Sequence, residues 1–214
     1  MTAGAAQVYI VYYSTYQHVK KLADAIERGA KRIAGVDVKL FQVAETLPEE
    51  VLAKMHAAPK AADVPVIAAD DLEKADGILF GFPTRFGIVP AQIKTFLDST
   101  GKQWASGALR GKQAGTFFST NTQHGGQETT ALTILPFFAH HGLQYVPFGY
   151  GHPNLQKTTE PIGGSPYGAG AIADVTDESP SKLELEVAEA QGEYFARQVL
   201  VRVLGERALA QQQQ

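Results

Sequence analysis

The chain has 214 residues, of which 44% are apolar and 19% charged, which is typical of one globular domain with a sizeable core. Its net charge of −3 gives no support for a broad surface that binds nucleic acid or an anionic membrane. The absence of cysteine excludes disulfides, thiolate-bound metal centres and a cysteine nucleophile. Because the sequence shows neither a signal peptide nor an apolar run near the ~20 residues of a membrane span, we expect a cytoplasmic protein.

The stretch Val8–Val19 has the strongest local pattern. Its first six residues are apolar or aromatic, as in a strand buried on both faces of a parallel sheet. The polar residues Ser14–His18 follow, and a helix is then predicted to about Ala34, with Gly35 as its stop. Free N–H groups and the helix dipole at such a junction can bind a phosphate. The alternative is an ordinary strand–helix turn in which Ser or Thr only caps the helix.

The next segments predict two strands separated by a long connection. Val36–Val43 alternates apolar and polar residues, which is typical of a strand near a sheet edge. A short helix is expected after Pro48, and the acidic segment Asp70–Asp76 predicts a helical turn. Gly77–Phe82 is continuously apolar, which indicates a second central strand.

A helix and a loop with the only tryptophan are predicted next. Pro90 indicates the first residue of a helix to about Thr100, with Gly101 as its C-cap. Lys102–Gly111 is then expected to be a loop that contains Trp104. This indole either packs on a partner or a flat ligand, or simply covers the edge of the core.

A third central strand, Ala114–Ser119, leads into another polar loop, Ser119–Gly126. Glycine lets backbone approach a ligand closely, and the hydroxyl and amide groups supply donors. The helix that begins near Gln127 should be kinked or split by Pro136. Leu143–Val146 is predicted to begin the last strand of the core.

The C-terminal third begins with a Gly/Pro-rich excursion, Phe148–Thr176, without visible periodicity. Ser181 and Glu184 then form a capping-box pattern that predicts a helix to about Leu204. Gln211–Gln214 is predicted to be disordered.

The alternation of strands and helices predicts one α/β domain with a five-stranded parallel sheet of flavodoxin-like order, 2-1-3-4-5, and helices on both faces. We expect residues 1–7 to be an N-terminal tail, 8–204 the domain and 205–214 a C-terminal tail. No metal site is expected, since the adjacent histidines His140 and His141 lack the spacing of a helical metal site.

Ligands of such a sheet bind beyond the carboxyl ends of its strands, near the switch point. Three loops should meet there: Ser14–Val19, Pro83–Val89 and Ser119–Gly126. The first can hold a phosphate, and the second adds a cation, Arg85, and an aromatic ring, Phe86. We therefore expect a phosphorylated planar heterocycle, for which FMN is the economical choice.

Several motifs resemble the WrbA family of flavodoxin-like NAD(P)H:quinone oxidoreductases, over about Val8–Leu204. They are YYSTYQHV (Tyr12–Val19), GFPTRFG (Gly81–Gly87), FLDSTGKQWASGALRGK (Phe96–Lys112), GGQET (Gly125–Thr129), AHHG (Ala139–Gly142), GGSPYGA (Gly163–Ala169) and QGEYFA (Gln191–Ala196). Three features depart from the family pattern. Gln17 stands where the family usually has glycine, and Pro136 is unexpected within the fourth helix. The third loop reads STNTQHGGQE, where STGTGGGQE or a version one residue longer is common.

The resemblance implies non-covalent FMN, a homotetramer with sites formed between subunits, and a ping-pong reaction. Hydride would pass from NADH or NADPH to the flavin, and two electrons would then pass to a quinone. The residues implied in cofactor binding are Ser14, Thr15, Tyr16, Gln17, His18, Val19, Thr84, Arg85, Phe86, Ser119, Thr120, Asn121, Thr122, His124, Gly125 and His140.

Three of the implied roles concern the substrates. Tyr16 would lie near the nicotinamide, and Trp104 would stack on the substrate. His140 would reach the flavin or substrate edge and donate a proton or hydrogen bond to the developing quinol oxygen; the alternative is a histidine packed at a helix end. Two rival functions also remain open, a flavodoxin-like electron-transfer module and a regulatory binding protein.

Overall fold

The computed structural model describes residues 4–173 and 179–213, and within them the chain forms a parallel sheet of six strands. The strands are β1 (Ala6–Tyr12), β2 (Val36–Gln42), β3 (Gly77–Pro83), β4 (Gln113–Thr120), β5 (Gln144–Tyr145) and β6 (Gly170–Ile172). The order β2-β1-β3-β4-β5 confirms the predicted flavodoxin-like α/β fold. The strand β2 lies at the edge, as its alternating pattern predicted.

Seven α-helices flank the sheet in the described part of the chain. They are α1 (His18–Ala30), α2 (Glu49–Lys54), α3 (Ala91–Asp98), α4 (Gly101–Ser106), α5 (Gln127–Leu132), α6 (Leu135–His141) and α7 (Lys182–Gln212). Apolar side chains of α1 and α7 form the core on one face of the sheet, and those of α3, α5 and α6 form it on the other. Two short 3₁₀ helices, Ala69–Lys74 and Pro153–Gln156, complete the fold.

Two glycines allow α1 and α7 to cross closely. A Cβ added to Gly29 would lie 1.8 Å from the carbonyl oxygen of Glu189, and one added to Gly192 would lie 2.0 Å from that of Ile26. Because backbone atoms cannot move aside cheaply, any larger residue at either position would force the two helices apart.

The fifth predicted strand is correct in place but short, and a sixth strand was missed. Residues Gln144 and Tyr145 pair with the amino end of β4, while Gly170–Ile172 pairs with its carboxyl end. The segment Phe148–Thr176 was predicted only as an excursion without visible periodicity, so β6 was not foreseen. Residues 174–176 lie outside the described part of the chain. A three-residue strand rich in glycine and alanine carries no period-2 signal.

Some helix boundaries also differ from the prediction. The helix α1 ends at Ala30, not Ala34, although Gly35 does adopt a left-handed φ of 86°. Pro90 is the N-cap residue of α3 and not its first helical residue. Gly101 begins α4, so the segment predicted as a loop around Trp104 is in part helical.

The C-terminal helix begins as predicted and extends further. Ser181 and Glu184 form the reciprocal capping box at its start. The predicted end at Leu204 was wrong, because α7 continues through Gln212; the last residue, Gln214, and the first three lie outside the described residues. Pro136 splits the predicted fourth helix, as expected, and occupies the first turn of α6. Among the described residues, no helix is both long and apolar enough to cross a membrane.

Candidate functional site

Three loops meet beyond the carboxyl ends of the strands, as the topology predicts. They follow β1, β3 and β4, and they surround a cavity of about 150 Å³. Its lining comprises Ser14, Thr15, Tyr16, His18, Val19, Pro83, Thr84, Arg85, Ser119, Thr120, Asn121 and Ala173. Ten of these twelve residues, all but Pro83 and Ala173, are among those that the sequence analysis proposes for cofactor binding.

The first loop presents the start of α1 to the cavity. No side chain caps this helix and its first turn contains no acidic residue, so its N-terminal N–H groups are left to an external acceptor. The dipole of the 13-residue helix adds positive potential at the same place. Burial and the charge of Lys21 lower the pKa of His18, which keeps its imidazole neutral near pH 7. This arrangement suits a phosphate group.

The second loop contributes a cation fixed by hydrogen bonds. Arg85 donates from Nη1 to the carbonyl oxygen of Thr84 at 2.8 Å and from Nη2 to Oγ1 of Thr15 at 3.0 Å. Phe86 has a positive φ of 56° and a fully exposed ring. The Gly87 N–H donates to Oγ1 of Thr84 at 3.0 Å, which closes the turn. Arg85 is thereby held against the first loop while the aromatic ring faces solvent.

The third loop is held closely to the second. The Thr84 N–H donates to the carbonyl oxygen of Ser119 at 2.8 Å, and the Thr130 hydroxyl donates to Oγ1 of Thr84 at 2.7 Å. Gly126 has a φ of 90°, and a Cβ on it would lie 3.0 Å from the Cα of Gly87. Only glycine fits both the conformation and this approach.

Not every predicted cofactor residue lines the cavity. Gln17, Phe86, Thr122, His124 and Gly125 belong to the three loops but lie outside the lining.

Two predicted residues lie at the other end of the sheet. His140 is exposed near the end of α6, whose next residue, His141, bonds to Thr100 through Nε2 at 2.9 Å. Trp104 is 60% exposed on α4, whose Lys102 pairs with Asp70 ahead of β3. Both positions adjoin the amino ends of the strands, roughly 20 Å from the cavity along a seven-residue strand. Within one chain, neither residue can reach a ligand in the cavity.

Sequence reasoning missed two parts of the site. Ala173 enters the cavity because it follows β6, and its N–H donates to the carbonyl oxygen of Thr120 at 2.7 Å. The segment Met55–Lys60 lies against the first loop. The sequence predicted it only as part of the long connection between two strands. The only sequence signal for it was the length of the connection, which is typical of functional segments.

A carboxylate beneath the first loop is fully hydrogen-bonded. Glu45 accepts from the Tyr13 hydroxyl at 2.9 Å and from Gln92 at 2.9 Å, and it pairs with Lys60 at 3.0 Å. Burial opposes its ionisation, but the hydrogen bonds from Lys60, the Leu47 N–H, Gln92 and the Thr46 N–H together lower its pKa to about 2. Burial raises the pKa of Tyr13 to about 12, so the phenol remains a donor. In residues 4–173 and 179–213, no three His, Cys, Asp or Glu residues cluster as metal ligands would.

Comparisons with known proteins point to one group. The sequence pattern of a family described as NADPH-dependent FMN reductase matches residues 14–152. A quinone oxidoreductase of Triphysaria versicolor is 57% identical over 90% of this chain and 94% of its own length. An NAD(P)H quinone oxidoreductase of Candida albicans is 49% identical over 94% of this chain and 70% of its own.

Solved structures agree on the fold. A flavodoxin-type, WrbA-like protein from Agrobacterium tumefaciens has a TM-score of 0.64 at 24% identity, covering 91% of this chain and 98% of its own. At that level of identity the likeness concerns the fold alone.

Proposed function

This chain belongs to the NADPH-dependent FMN reductase family, and on that premise we propose that it uses bound FMN to reduce quinones with electrons from NAD(P)H. The names of its relatives support both substrates, since proteins about half identical to it are quinone oxidoreductases that use NAD(P)H.

The observation that carries the proposal is the uncapped start of α1 inside the three-loop cavity. A helix start without a capping side chain or an acidic first turn fits the phosphate of FMN. The neighbouring hydroxyls of Ser14, Thr15, Thr84, Ser119 and Thr120 offer donors and acceptors for a ribityl chain. The exposed ring of Phe86 offers an apolar surface beside the isoalloxazine system.

The protein's part in the reaction is binding and orientation. When bound, FMN would supply the two-electron chemistry between NAD(P)H and a quinone. We assign phosphate binding to the first loop, and contacts along the ring to Thr84, Arg85 and Phe86. The third loop, Ser119–Gly126, would also contact the cofactor, and Tyr16 would contact the nicotinamide. No side chain of the site needs to form a covalent bond to the substrate.

We further propose that a second copy of the chain completes the site, within a homotetramer. Trp104 and His140 lie far from the cavity of their own chain, yet both are exposed and α4 packs against α6. The cavity itself is flanked by exposed apolar side chains, Phe86, Ile88 and Tyr16, of the kind that interfaces cover. In this arrangement, Trp104 of one copy stacks on the substrate above the cavity of another, and His140 donates to the developing quinol oxygen.

Subunit mixing tests the shared site. One variant carries Trp104→Ala and His140→Ala, and a second carries Thr15→Trp to block the cofactor cavity. Each alone should be nearly inactive, whereas co-expressed chains should regain activity, because some sites combine an intact cavity with an intact Trp104 and His140. If the mixture shows only the sum of the separate activities, the site lies within one chain.

Turnover with purified protein tests the function itself. FMN is added, and oxidation of NADH or NADPH is followed with and without benzoquinone. Quinone-dependent oxidation with the parallel-line kinetics of a ping-pong reaction supports the proposal. Flavin that is bound but reduced only by a separate reductase protein would indicate an electron-transfer module. Failure to bind FMN would indicate a regulatory binding protein.

We propose that the reaction takes place in the cytoplasm, because NAD(P)H is abundant in that compartment. Cell fractionation can test this location.

A further inference from the structure

The junction between the first loop and α1 contains an unexpected residue conformation. Gln17 has a φ of 68°, in the left-handed region that glycine adopts without strain and other residues rarely occupy. Its side chain donates from Nε2 to the carbonyl oxygen of Pro59 at 2.8 Å. A glycine could not make this bond, so in this chain the left-handed residue is also an anchor to the segment Met55–Lys60, which we call the bracing segment.

The bracing segment bonds to every residue of the loop from Ser14 to Tyr16 as well. Lys60 Nζ donates to the carbonyl oxygen of Ser14 at 3.1 Å. The Ala58 N–H donates to the carbonyl oxygen of Thr15 at 2.9 Å. The Tyr16 hydroxyl donates to the carbonyl oxygen of Met55 at 3.1 Å. With the bond from Gln17, four consecutive loop residues are therefore attached to one short segment.

These bonds determine where the N–H groups of the loop point. A trans peptide unit is planar, so the N–H of one residue points opposite to the C=O of the residue before it. Lys60 holds the Ser14 carbonyl, and this directs the Thr15 N–H away from the bracing segment. The hydrogen bond from Ala58 to the Thr15 carbonyl likewise directs the Tyr16 N–H away from the bracing segment. Both N–H groups belong to residues that line the cavity.

Lys60 is itself held by an ion pair and a cation–π contact. Its ammonium pairs with Glu45 at 3.0 Å and lies 4.0 Å from the centre of the Tyr13 ring. Tyr13 and Gln92 hold Glu45 in turn. These contacts hold the ammonium beside the Ser14 carbonyl before any ligand arrives, which is the condition for preorganised binding.

We infer that the bracing segment orients the Thr15 and Tyr16 N–H groups for the phosphate of FMN, with Lys60 and Gln17 as positioning residues. The inference rests on the proposed FMN function and assigns a role to residues outside the cavity lining. Because the oriented groups would meet only the phosphate, the segment should govern selectivity for FMN over riboflavin, which lacks that phosphate.

The experiment measures dissociation constants for FMN and riboflavin by quenching of flavin fluorescence. The variant Lys60→Met should weaken FMN binding about ten-fold, the effect of losing one charge-assisted hydrogen bond, and leave riboflavin within about two-fold. Lys60→Arg, which keeps a charged donor, should recover part of the loss. Lys54→Met is the matched control, since it removes an equal charge from the exposed end of α2.

Gln17→Ala keeps a Cβ at the left-handed position and removes only the bond to Pro59, so it should lower the same selectivity several-fold. The inference would be overturned if the variants lost equal affinity for FMN and riboflavin. It would also be overturned if neither Lys60→Met nor Gln17→Ala lost affinity for FMN. If Lys60→Met does not fold by circular dichroism, the Gln17→Ala result decides. A native protein that binds neither flavin would instead refute the proposed function.

Discussion

The guanidinium of Arg85 donates from Nη2 to the hydroxyl oxygen of Thr15 over 3.0 Å, which joins the loop after β3 to the loop after β1. The two residues are 70 positions apart and come together only because β1 and β3 are neighbours in the sheet. The contact therefore links the proposed phosphate loop to the proposed ring-binding loop through one hydrogen bond.

A double-mutant cycle measures this link. Arg85→Met and Thr15→Val should each weaken FMN binding, and their effects should be non-additive by about 1 kcal/mol, because either change removes the same bond. Isothermal titration with FMN provides the four values. The control pairs Thr15→Val with Arg110→Met, an exposed arginine that approaches Gly142 at the far end of the sheet. If the effects of Thr15→Val and Arg85→Met are as additive as those of Thr15→Val and Arg110→Met, the bond contributes nothing to binding.

Gly126→Ala should be destabilising. The added Cβ would lie 2.7 Å from Oγ1 of Thr129 and 3.0 Å from the Cα of Gly87, at a φ of 90°. We expect a loss of about 1–3 kcal/mol in the free energy of unfolding, together with weaker FMN binding. Gly205→Ala is the control, since a Cβ there meets nothing within 4 Å on α7, and it should stabilise the protein by about 0.5–1 kcal/mol. Urea unfolding that finds Gly126→Ala neutral would contradict the described packing of the two loops.

Most of the fold could be predicted because each central strand carries its own signal. Gly77–Phe82 is continuously apolar and has the length of a strand, and the capping box at Ser181 marks a helix start within four residues. The strand β6 escaped prediction because its pairing with β4 depends on tertiary contact and not on a local pattern.

The loops that form the site could be predicted from the sequence, but the residues that hold these loops in place could not. Polar residues that follow buried strands identify the carboxyl edge, so Ser14, Thr84 and Ser119 could be placed from the sequence. Lys60 could not, because its role depends on a hydrogen bond to a residue 46 positions earlier. The separation of Trp104 from the cavity follows from the predicted fold itself, because the helix between two parallel strands returns to their amino ends before α4 begins.

Acid should weaken the fold through Glu45. Its hydrogen bonds lower its pKa from 4.5 to about 2, so the stability they contribute is complete above about 4.5 and is lost as the pH falls toward 2. Glu45→Gln should cost about 1–3 kcal/mol at pH 7, with a deficit that shrinks below pH 4.5. Urea unfolding at several pH values measures this, with Glu49→Gln on the exposed start of α2 as the control. A deficit that stays constant from pH 7 to 3 would contradict the assignment.

FMN affinity should depend on the protonation of His18. Burial and Lys21 lower the pKa of this residue in the free protein, and a phosphate dianion beside it would raise that pKa. Binding then takes up a proton, so affinity should increase as the pH falls from about 8 to 6.5, by at most about ten-fold per pH unit. The range stops there because the phosphate itself titrates near a pKa of about 6. His18→Asn should remove the slope, and an unchanged slope would place the phosphate elsewhere.

A crystal structure of the protein grown with FMN tests the central claim most directly. We predict the phosphate within hydrogen-bond distance of the Thr15 and Tyr16 N–H groups, and the ring between the loops that follow β3 and β4. We also predict the indole of Trp104 from a second copy facing the exposed side of the ring. A phosphate bound away from the start of α1, or a ring outside the three loops, would contradict the account.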